Sequence, residues 1–292
     1  MTVERISHCK VNLLLNILGR RADGFHELET LMHPVWVFDR ITIEEAPVGI
    51  ALRCSDASLP VDARNLVYRA AEAYLRVADV KTGLRLTLEK NLPVAAGLGG
   101  GSGNAASTLL GLNELFETRL TQEKLLEIAS SLGSDIPFFL QDSPALAFGR
   151  GEKIEPVGSL VALKHAAFVL VHPGFGISTP WAYKELARFP EARNGRPGRA
   201  AELAGALRSG SLHEATRLFY NVLEAPALEK FPLLGLYKEF FRERGAVSLM
   251  SGSGSSVFAI FDSMEAAKAA CNPFKERFGD RLWMAVCPCA KP

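Results

Sequence analysis

The stretch LPVAAGLGGGSGNAAS, residues 92–107, places five glycines among the seven positions 97–103. Glycine inside a regular element costs roughly 0.5–1 kcal/mol relative to alanine, and a whole domain is stable by only about 5–15 kcal/mol. A glycine-rich turn that enters a helix suits an anion, because backbone N–H groups converge there and the helix dipole adds about half a positive charge. The stretch therefore predicts a phosphate-binding loop before a helix whose first turn begins near residues 102–105.

Other glycine patterns fit this stretch less well. A Walker A loop requires a lysine that is missing here. A dinucleotide-binding fingerprint can be placed at Gly101, Gly103 and Ala106, but the preceding strand lies ten residues away and no acidic residue ends a strand about twenty residues later. A flexible linker or a tight packing site is the remaining alternative. Linkers rarely enter an apolar helix directly, so anion binding is favoured.

The composition excludes several classes of partner. The chain has 292 residues, of which 48% are hydrophobic, 33 are basic and 32 are acidic, so its net charge is +1. This balance gives no reason to expect a nucleic acid or a membrane surface as a partner. No apolar stretch is long enough to span a membrane, and the first residues lack the layout of a signal peptide. Five cysteines, an odd number, fit reduced thiols and a cytoplasmic protein.

Hydrophobic periodicity predicts strands and helices in mixed order. LRLTLEK, residues 84–90, alternates as a half-buried strand, and a hairpin is expected over 246–262. Because the elements do not alternate as βαβ units, the fold class is α+β, with a candidate domain boundary near residue 160. The segment 187–199, rich in Arg, Gly and Pro, is expected to be a surface loop. An amphipathic helix is predicted over 65–79, and further helices are predicted over 121–133, 211–223 and 264–278.

Several segments together resemble one family of enzymes, the GHMP kinases. PVAAGLGGGSGNAA at 93–106 looks like the nucleotide-phosphate loop of that family, and LMSGSGSSVFAIFD at 249–262 resembles its C-terminal glycine motif. KVNLLLNILGRRADGFHELETL at 10–31 is similar to the N-terminal motif of those members whose substrate is a cytidine diphosphate-linked methylerythritol. With SDIPFF at 134–139 and HPGFGISTP at 172–180, the resemblance runs from about residue 8 to residue 262.

The resemblance implies a two-domain fold with the active site in the cleft between the domains. The N-terminal domain, 1–160, would be a mixed sheet with helices, and the C-terminal domain, 161–292, a ferredoxin-like α/β sandwich. The implied activity is phosphorylation of the 2-hydroxyl of the cytidine diphosphate-linked methylerythritol by ATP with Mg²⁺, a step of non-mevalonate isoprenoid biosynthesis. The protein would be a monomer or a weak homodimer.

Two residues match the catalytic positions of the family. Asp135 in GSDIPFF matches the catalytic aspartate, which would act as a base toward the hydroxyl of the substrate. Lys10 would lie beside Asp135, lower the pKa of the carboxylate or the hydroxyl, and neutralise charge on the transferred phosphate. Without the family, a turn aspartate and a solvated lysine at the start of a strand would be the simpler interpretations.

Four residues are candidates for binding the substrate. Asn12, on the same strand face as Lys10, would bond to the erythritol part. His26 would meet the polar edge of cytosine, while the ring of Phe25, where the family commonly has tyrosine, would lie against its face. Tyr183 matches a second aromatic position and would complete a sandwich around the base. Core packing is the alternative for each aromatic side chain.

The candidate ATP site comprises the glycine-rich loop, residues 93–103, and Asn65, which would reach the adenine or ribose. Gly103 stands where the family often has serine, so the Mg²⁺ ligands are unknown and Ser102 is the hydroxyl that remains. Gly252 and Gly254 are expected to pack near this loop or to form a tight hairpin turn. The predicted loop residues are Pro93, Val94, Ala95, Ala96, Gly97, Leu98, Gly99, Gly100, Gly101, Ser102 and Gly103.

Two other functions stay open at the level of sequence. The chain could be a GHMP kinase of another alcohol, such as homoserine or a mevalonate derivative, although the Phe–His pair in RRADGFHEL suits a cytosine ring better. It could also be a catalytically inactive relative that binds nucleotide as a regulator, although Lys10 and Asp135 are both retained.

Overall fold

The computed structural model describes residues 1–117, 120–192 and 195–291. Strands and helices follow one another without regular βαβ alternation, which confirms the α+β prediction. The strands are β1 (Thr2–Arg20), β2 (His26–Ala46), β3 (Ile50–Cys54), β4 (Gly83–Glu89), β5 (Ala145–Gly149), β6 (Lys153–Pro156), β7 (Ala167–His172), β8 (Tyr220–Asn221), β9 (Val247–Met250), β10 (Val257–Phe261) and β11 (Trp283–Pro288). The helices are α1 (Leu66–Val77), α2 (Gly100–Leu115), α3 (Gln122–Leu132), α4 (Thr179–Glu185), α5 (Arg199–Ser209), α6 (Leu212–Ala215), α7 (Glu224–Lys230), α8 (Pro232–Arg242) and α9 (Met264–Phe278).

The chain divides into two compact units, and the long strands β1 and β2 each contribute residues to both. The glycine-rich loop is also shared, because residues 93–98 belong to the second unit and residues 99–103 to the first. The predicted division at residue 160 stays a prediction. The first unit comprises Met1–Cys9, Val37–Leu92 and Gly99–Asp142, and the second comprises Lys10–Trp36, Pro93–Leu98 and the chain from Ser143 onward.

In the first unit, β4 lies between two other strands. The C-terminal half of β2 pairs antiparallel with β4, with Arg40 opposite Glu89, and β3 pairs parallel with β4, with Ile50 opposite Leu84. The leucines of β4 are buried on one face, as the alternation of LRLTLEK predicted. Helices α1, α2 and α3 pack against one another in this unit. Gly133 ends α3 as predicted, in an extended conformation.

The second unit contains a four-stranded antiparallel sheet in the order β11-β7-β10-β9. Its elements follow the chain order strand, helices, strand, strand, helix, strand, which with this sheet order is ferredoxin-like, as the resemblance implied. Helices α8 and α9 pack on the sheet. Phe240, Phe241 and Phe274 from these helices fill the core together with Val169 and Val257 from the strands.

The same unit contains pairings with the long N-terminal strands. The N-terminal half of β2 pairs antiparallel with β5, which pairs antiparallel with β6. The short strand β8 runs parallel to β1, with Leu14 opposite Tyr220 and Leu15 opposite Asn221. In the described ranges, no helix could cross a lipid bilayer.

The helix predicted over 211–223 is wrong in its C-terminal half. α6 ends at Ala215, a 3-10 turn covers Thr216–Leu218, and β8 follows. Local apolar spacing favours a helix there, but main-chain pairing of β8 with β1 overrides this preference. Helix α7, directly after β8, was not predicted.

The segment predicted to be a surface loop, 187–199, is anchored where the structure describes it. Its residues Arg193 and Asn194 lie outside the described residues. Glu29, which is 2% exposed, accepts hydrogen bonds from the backbone N–H groups of Gly198 and Arg199 at 2.8 and 2.9 Å. The carboxylate of Glu29, in β2, therefore holds the start of α5.

Candidate active site

Residues 93–98, the first part of the glycine-rich loop, are held from two sides within the second unit. The backbone N–H of Lys10 donates to Leu98 O at 2.9 Å, and that of Ser256 donates to Ala96 O at 3.1 Å. One side is therefore strand β1, and the other is the hairpin loop, residues 251–256, that joins β9 to β10.

Gly97 lies close to the hairpin loop. The hydroxyl of Ser251 donates to Gly97 O at 2.9 Å, and a Cβ added to Gly97 would lie only 2.1 Å from Ser251 O. Gly97 also has a φ of +76°. The prediction that the second glycine run packs near the glycine-rich loop is therefore confirmed for this part of the loop.

Helix α2 begins at Gly100, with Gly99 as its N-cap at a φ of +70°, and thus starts before the predicted residues 102–105. Within the described chain, no side chain makes a capping hydrogen bond at this end. The N–H groups of Gly100, Gly101 and Ser102 belong to the first turn, where intrahelical acceptors are lacking. Gly101 is exposed. The first turn can therefore present N–H groups and the positive end of the helix dipole to an anion.

Gly103 is a glycine because the helix lies close to β1. An added Cβ would lie 2.7 Å from His8 O and 2.9 Å from Ser7 Oγ, so a serine would force the two elements apart. The hydroxyl that the family often has at this position therefore has no space in this chain. Ser102, which is half-buried, is the hydroxyl that the first turn retains.

A buried ionic network that was not predicted from the sequence supports the start of α2. Asp39 is 0% exposed; its Oδ1 accepts from the backbone N–H groups of Asn91 and Leu92 at 2.7 and 2.9 Å. Its Oδ2 accepts from Asn104 Nδ2 at 2.9 Å and from the ammonium of Lys90. One carboxylate thus connects the chain after β4 to α2. The sequence signals this network only by placing an aspartate within an apolar strand. A charge buried in such a strand needs partners, but the sequence does not show which they are.

Lys10 and Asn12 lie side by side on one face of β1, as predicted. Lys10 Nζ donates to Asn12 Oδ1 at 2.6 Å, and Asn12 Nδ2 donates to Thr30 Oγ1 at 2.8 Å. The interpretation of Lys10 as a solvated lysine at a strand start is wrong, because it is 3% exposed and lies within β1. An ammonium in such surroundings interacts more strongly with an anion than it would in water.

Three predicted aromatic residues lie in the second unit, and two of them are in contact. The ring centroids of His26 and Tyr183 are 5.1 Å apart, and their planes are inclined by 32°. Phe25 is 53% exposed, and the guanidinium carbon of Arg150 lies 5.0 Å from its ring centroid. Arg150 was not singled out from the sequence. The sandwich of a base between Phe25 and Tyr183 stays a prediction.

The turn that carries Phe25 is shaped by Arg21 and Asp23. Arg21 donates to Asp23 at 3.0 Å and to Glu27 at 2.6 Å, and Phe25 N donates to Asp23 Oδ1 at 3.1 Å. Desolvation raises the pKa of Asp23, but the hydrogen bonds from Arg21 and Phe25 outweigh it and hold the pKa below its ordinary value. The charged residues of RRADGFHEL therefore build the turn that presents Phe25.

Asp135 directly precedes the buried 3-10 turn Ile136–Leu140 and is itself half-buried. Its backbone is held between this turn, which contains Pro137, and the C-cap of α3 at Gly133. Asp135 belongs to the first unit and Lys10 to the second, so their predicted proximity stays a prediction.

Asn65 has a structural use in the first unit. It is the N-cap of α1: its Oδ1 accepts from Val67 N at 3.0 Å, and its Nδ2 donates to Pro60 O at 2.8 Å. The helix cap accounts for both polar atoms of the side chain. Contact of Asn65 with an adenine or ribose stays a prediction.

The described residues contain no group of three His, Cys, Asp or Glu side chains that could hold a metal ion. None of the five cysteines forms a disulfide within the described residues, in agreement with the prediction of reduced thiols. A magnesium ion fits this donor set only as a companion of phosphate groups, because it keeps most of its ligands as phosphate oxygens and water.

Comparison with known proteins defines the family. Residues 65–149 match the GHMP kinases N terminal domain, and residues 195–280 match the GHMP kinases C terminal. The chain is 40% identical to a protein from Syntrophotalea carbinolica, over 95% of this chain and 96% of that one. It is 41% identical to a protein from Citrifermentans bemidjiense, over 97% of both. The chain therefore belongs to the GHMP kinases and is a small-molecule kinase.

The two relatives are both 4-diphosphocytidyl-2-C-methyl-D-erythritol kinases. A crystal structure of 4-(cytidine 5'-diphospho)-2C-methyl-D-erythritol kinase matches with a TM-score of 0.76 and 35% identity, covering 98% of this chain and 99% of that chain. The fold is also that of a mevalonate kinase from L. major, with a TM-score of 0.73 at 17% identity, covering 98% of this chain and 95% of that chain.

Proposed function

We propose that this chain transfers the terminal phosphate of ATP to the 2-hydroxyl of 4-diphosphocytidyl-2-C-methyl-D-erythritol, in non-mevalonate isoprenoid precursor biosynthesis. The observation that carries the proposal is identity of 40% and 41%, over 95% and 97% of the chain, to kinases named for this substrate. The uncapped first turn of α2 and the buried pair Lys10–Asn12 supply the groups that phosphoryl transfer requires.

The phosphates of ATP are bound by the glycine-rich loop and the first turn of α2. The N–H groups of Gly100, Gly101 and Ser102 donate to phosphate oxygens, and the helix dipole adds to the attraction. Magnesium, when bound, spreads the negative charge of the phosphates. We assign the Ser102 hydroxyl to it, with phosphate oxygens and water as the other ligands. Asn65 lies toward the adenine or ribose.

The acceptor hydroxyl is activated and aligned by side chains. Asp135 accepts the proton of the 2-hydroxyl as a general base. Lys10 donates to the transferred phosphate and offsets its charge, and Asn12 holds both Lys10 and the erythritol part. Because Asn12 already orients Lys10, the site needs little rearrangement as negative charge develops on the transferred phosphate.

The cytosine ring is recognised by the aromatic cluster of the second unit. Phe25 offers an exposed face, and His26 offers ring nitrogens for the polar edge of the base. Tyr183 packs on His26 and fixes its orientation. These side chains suit a cytidyl substrate. Homoserine and mevalonate contain no aromatic base for them to bind.

The roles proposed for the reacting groups are tested by Asp135→Asn, with Asp142→Asn as its control. Asp142 is an acidic residue of the same unit whose side chain is 52% exposed. We expect Asp135→Asn to lower kcat by about 10²–10⁴-fold and to leave the dissociation constant of ATP, measured by calorimetry, within about twofold. Asp142→Asn should keep kcat within about threefold. An unchanged kcat in Asp135→Asn would remove the proposed base.

The proposed substrate is tested by competition. CDP should inhibit phosphorylation of the cytidyl alcohol competitively, and UDP should inhibit it less, because the polar edge of uracil reverses the donor and acceptor of cytosine. Equal inhibition by the two would contradict recognition of the base by His26. Turnover of homoserine or mevalonate with indifference to CDP would favour another alcohol as substrate.

We also infer a cytoplasmic location. The five cysteines, which form no disulfide within the described residues, support it because reduced thiols persist there. A monomer or a weak homodimer is the expected assembly, and sedimentation at micromolar concentration tests it.

A further inference from the structure

Asn221 is a buried polar residue that the proposed reaction does not use. It is 2% exposed and forms, with Tyr220, the short strand β8, where it lies opposite Leu15 of β1. Strand β1 is the strand that carries Lys10 and Asn12. A buried amide requires several hydrogen-bond partners, so its contacts show what it holds in place.

Within the part of the chain that the structure describes, all the hydrogen bonds of this side chain go to main-chain atoms. Asn221 Nδ2 donates to Met250 O at 2.7 Å and to Gly252 O at 2.8 Å, and Asn221 Oδ1 accepts from Leu223 N at 2.9 Å. A primary amide can make these three bonds because its nitrogen carries two donor hydrogens and its oxygen is an acceptor. Aspartate has the same shape, but its carboxylate would face two carbonyl oxygens without a donor.

A second residue close in sequence holds the same point of the chain. Glu224 Oε1 accepts from Met250 N at 2.7 Å, and its other oxygen pairs with the ammonium of Lys238, which is 4% exposed. Met250, the last residue of β9, is therefore bound at its N–H by Glu224 and at its carbonyl by Asn221. The hairpin loop, residues 251–256, starts from this anchored position.

The hairpin loop lies against the proposed reacting groups of the second unit. A Cβ added to Gly252 would lie 3.1 Å from Gly97 O, 3.4 Å from Asn12 Oδ1 and 3.5 Å from Lys10 Nζ. Ser251 bonds to Gly97 O from the same loop. Gly252 therefore borders the space occupied by the ammonium of Lys10 and by its partner Asn12, so a displacement of the hairpin loop at Gly252 would change that space.

We propose that Asn221 is a positioning residue that sets the place of Lys10 through Gly252, an inference that rests on the proposed role of Lys10 in phosphoryl transfer. Asn221 touches neither ATP nor the alcohol. It holds Gly252 O, and Gly252 in turn borders the space in which Lys10 Nζ and Asn12 Oδ1 lie. Catalysis that depends on a charge held in one place is sensitive to such a displacement.

The experiment compares Asn221→Asp and Asn221→Ser with a control, Ser248→Ala. Ser248 is also 2% exposed and donates to Phe258 O at 3.0 Å, so its loss removes a buried hydrogen bond from β9 without touching the hairpin loop. We expect Asn221→Asp to lower kcat by about 30-fold or more and Asn221→Ser, which keeps one donor, by about 3–10-fold. The KM of each substrate should change less than about threefold.

The melting temperature separates positioning from a general loss of stability. Ser248→Ala should lower it to a degree comparable with Asn221→Ser and keep kcat within about twofold. If both Asn221 variants keep kcat at the level of Ser248→Ala, or raise KM instead, the proposal is overturned. If Asn221→Asp does not fold, Asn221→Ser decides by the same criterion. Wild-type protein that does not phosphorylate the cytidyl alcohol would instead contradict the proposed function.

Discussion

The glycine-rich loop, residues 93–103, and the hairpin loop, residues 251–256, look alike in sequence but use glycine differently. In the hairpin loop both glycines are required by the protein itself. Gly252 has a φ of +56°, and a Cβ added to it would lie 3.1 Å from Gly97 O. A Cβ added to Gly254 would lie 2.6 Å from Met250 Sδ. The hairpin loop is therefore a packed turn.

The glycine-rich loop contains glycines of both kinds. Gly97 and Gly103 are packed so closely that an added Cβ would lie 2.1 and 2.7 Å from carbonyl oxygens. At Gly100 and Gly101 the nearest atoms would lie at 3.5 and 3.7 Å, which is ordinary contact. Packing alone does not demand glycine at these two positions. A glycine run must therefore be divided residue by residue, and Gly100 and Gly101 are the two that we propose leave space for a phosphate.

The largest effect on stability is expected from Gly97→Ala. The new methyl would collide with Ser251 O, and alanine would be forced into a positive φ, so the free energy of unfolding should fall by about 2–5 kcal/mol. Urea denaturation measures it. The control is Gly235→Ala in α8, where an added Cβ meets nothing within 4 Å, and stability should stay the same or rise. Similar values for the two variants would show that Gly97 is not a packing glycine.

A different outcome is expected for Gly101→Ala. The methyl fits the protein, and alanine in a helix is favoured over glycine by up to about 1 kcal/mol, so stability should be kept or raised. The same methyl would occupy space beside the first-turn N–H groups, so the KM for ATP should rise by about 10-fold, equivalent to about 1.4 kcal/mol. Steady-state kinetics and denaturation are measured on the same preparation.

Gly205→Ala, in α5, is the control for Gly101→Ala, because an added Cβ there also meets nothing within 4 Å. It should share the gain in stability and leave the KM for ATP unchanged. A KM for ATP that stays at the wild-type value in Gly101→Ala would contradict the division of the glycines into packed and ligand-facing.

The smallest expected effect is a change in stability with pH that is caused by His172, beside the hairpin loop. His172 Nδ1 lies 3.3 and 3.4 Å from the hydroxyls of Ser255 and Ser256, and burial lowers the pKa of His172 below 6.5. The unfolded chain therefore binds a proton first as the pH falls, so this histidine should reduce the free energy of unfolding below about pH 6.5. The midpoint of urea unfolding at pH 8 and at pH 5.5 measures it.

His172→Gln should weaken this pH dependence while other histidines continue to contribute. The informative quantity is the difference between the two pH values in each protein, because the substitution also changes stability at every pH. Equal differences in wild type and variant would show that His172 does not report on the hairpin loop.

Much of the fold could be predicted from the sequence because the relevant patterns are local. The helix over 264–278 and the alternating strand β4 agree with their periodicity. The prediction of a helix over 211–223 was wrong in its C-terminal half because two residues of that segment pair with β1. A strand partner some 200 residues away leaves no periodic signal in the local sequence. The start of α2 was placed late because glycines are poor helix formers in isolation.

Less of the site could be predicted without the family resemblance. Asn12 beside Lys10 follows from strand alternation, but the burial of Lys10 does not. Asp39 and Asn221 were not identified, since each acts on backbone groups far from it in the chain. A single polar residue in an apolar segment indicates that partners exist without naming them.

The amino-acid sequence by itself determined the α+β class and the glycine-rich loop ahead of α2, because both depend on patterns of neighbours along the chain. Only the tertiary structure decided that Lys10 is buried, that Asn221 holds the hairpin loop, and that Gly97 is packed while Gly101 is open. These properties depend on atoms brought together from distant segments, and close packing in three dimensions has no counterpart in a linear pattern.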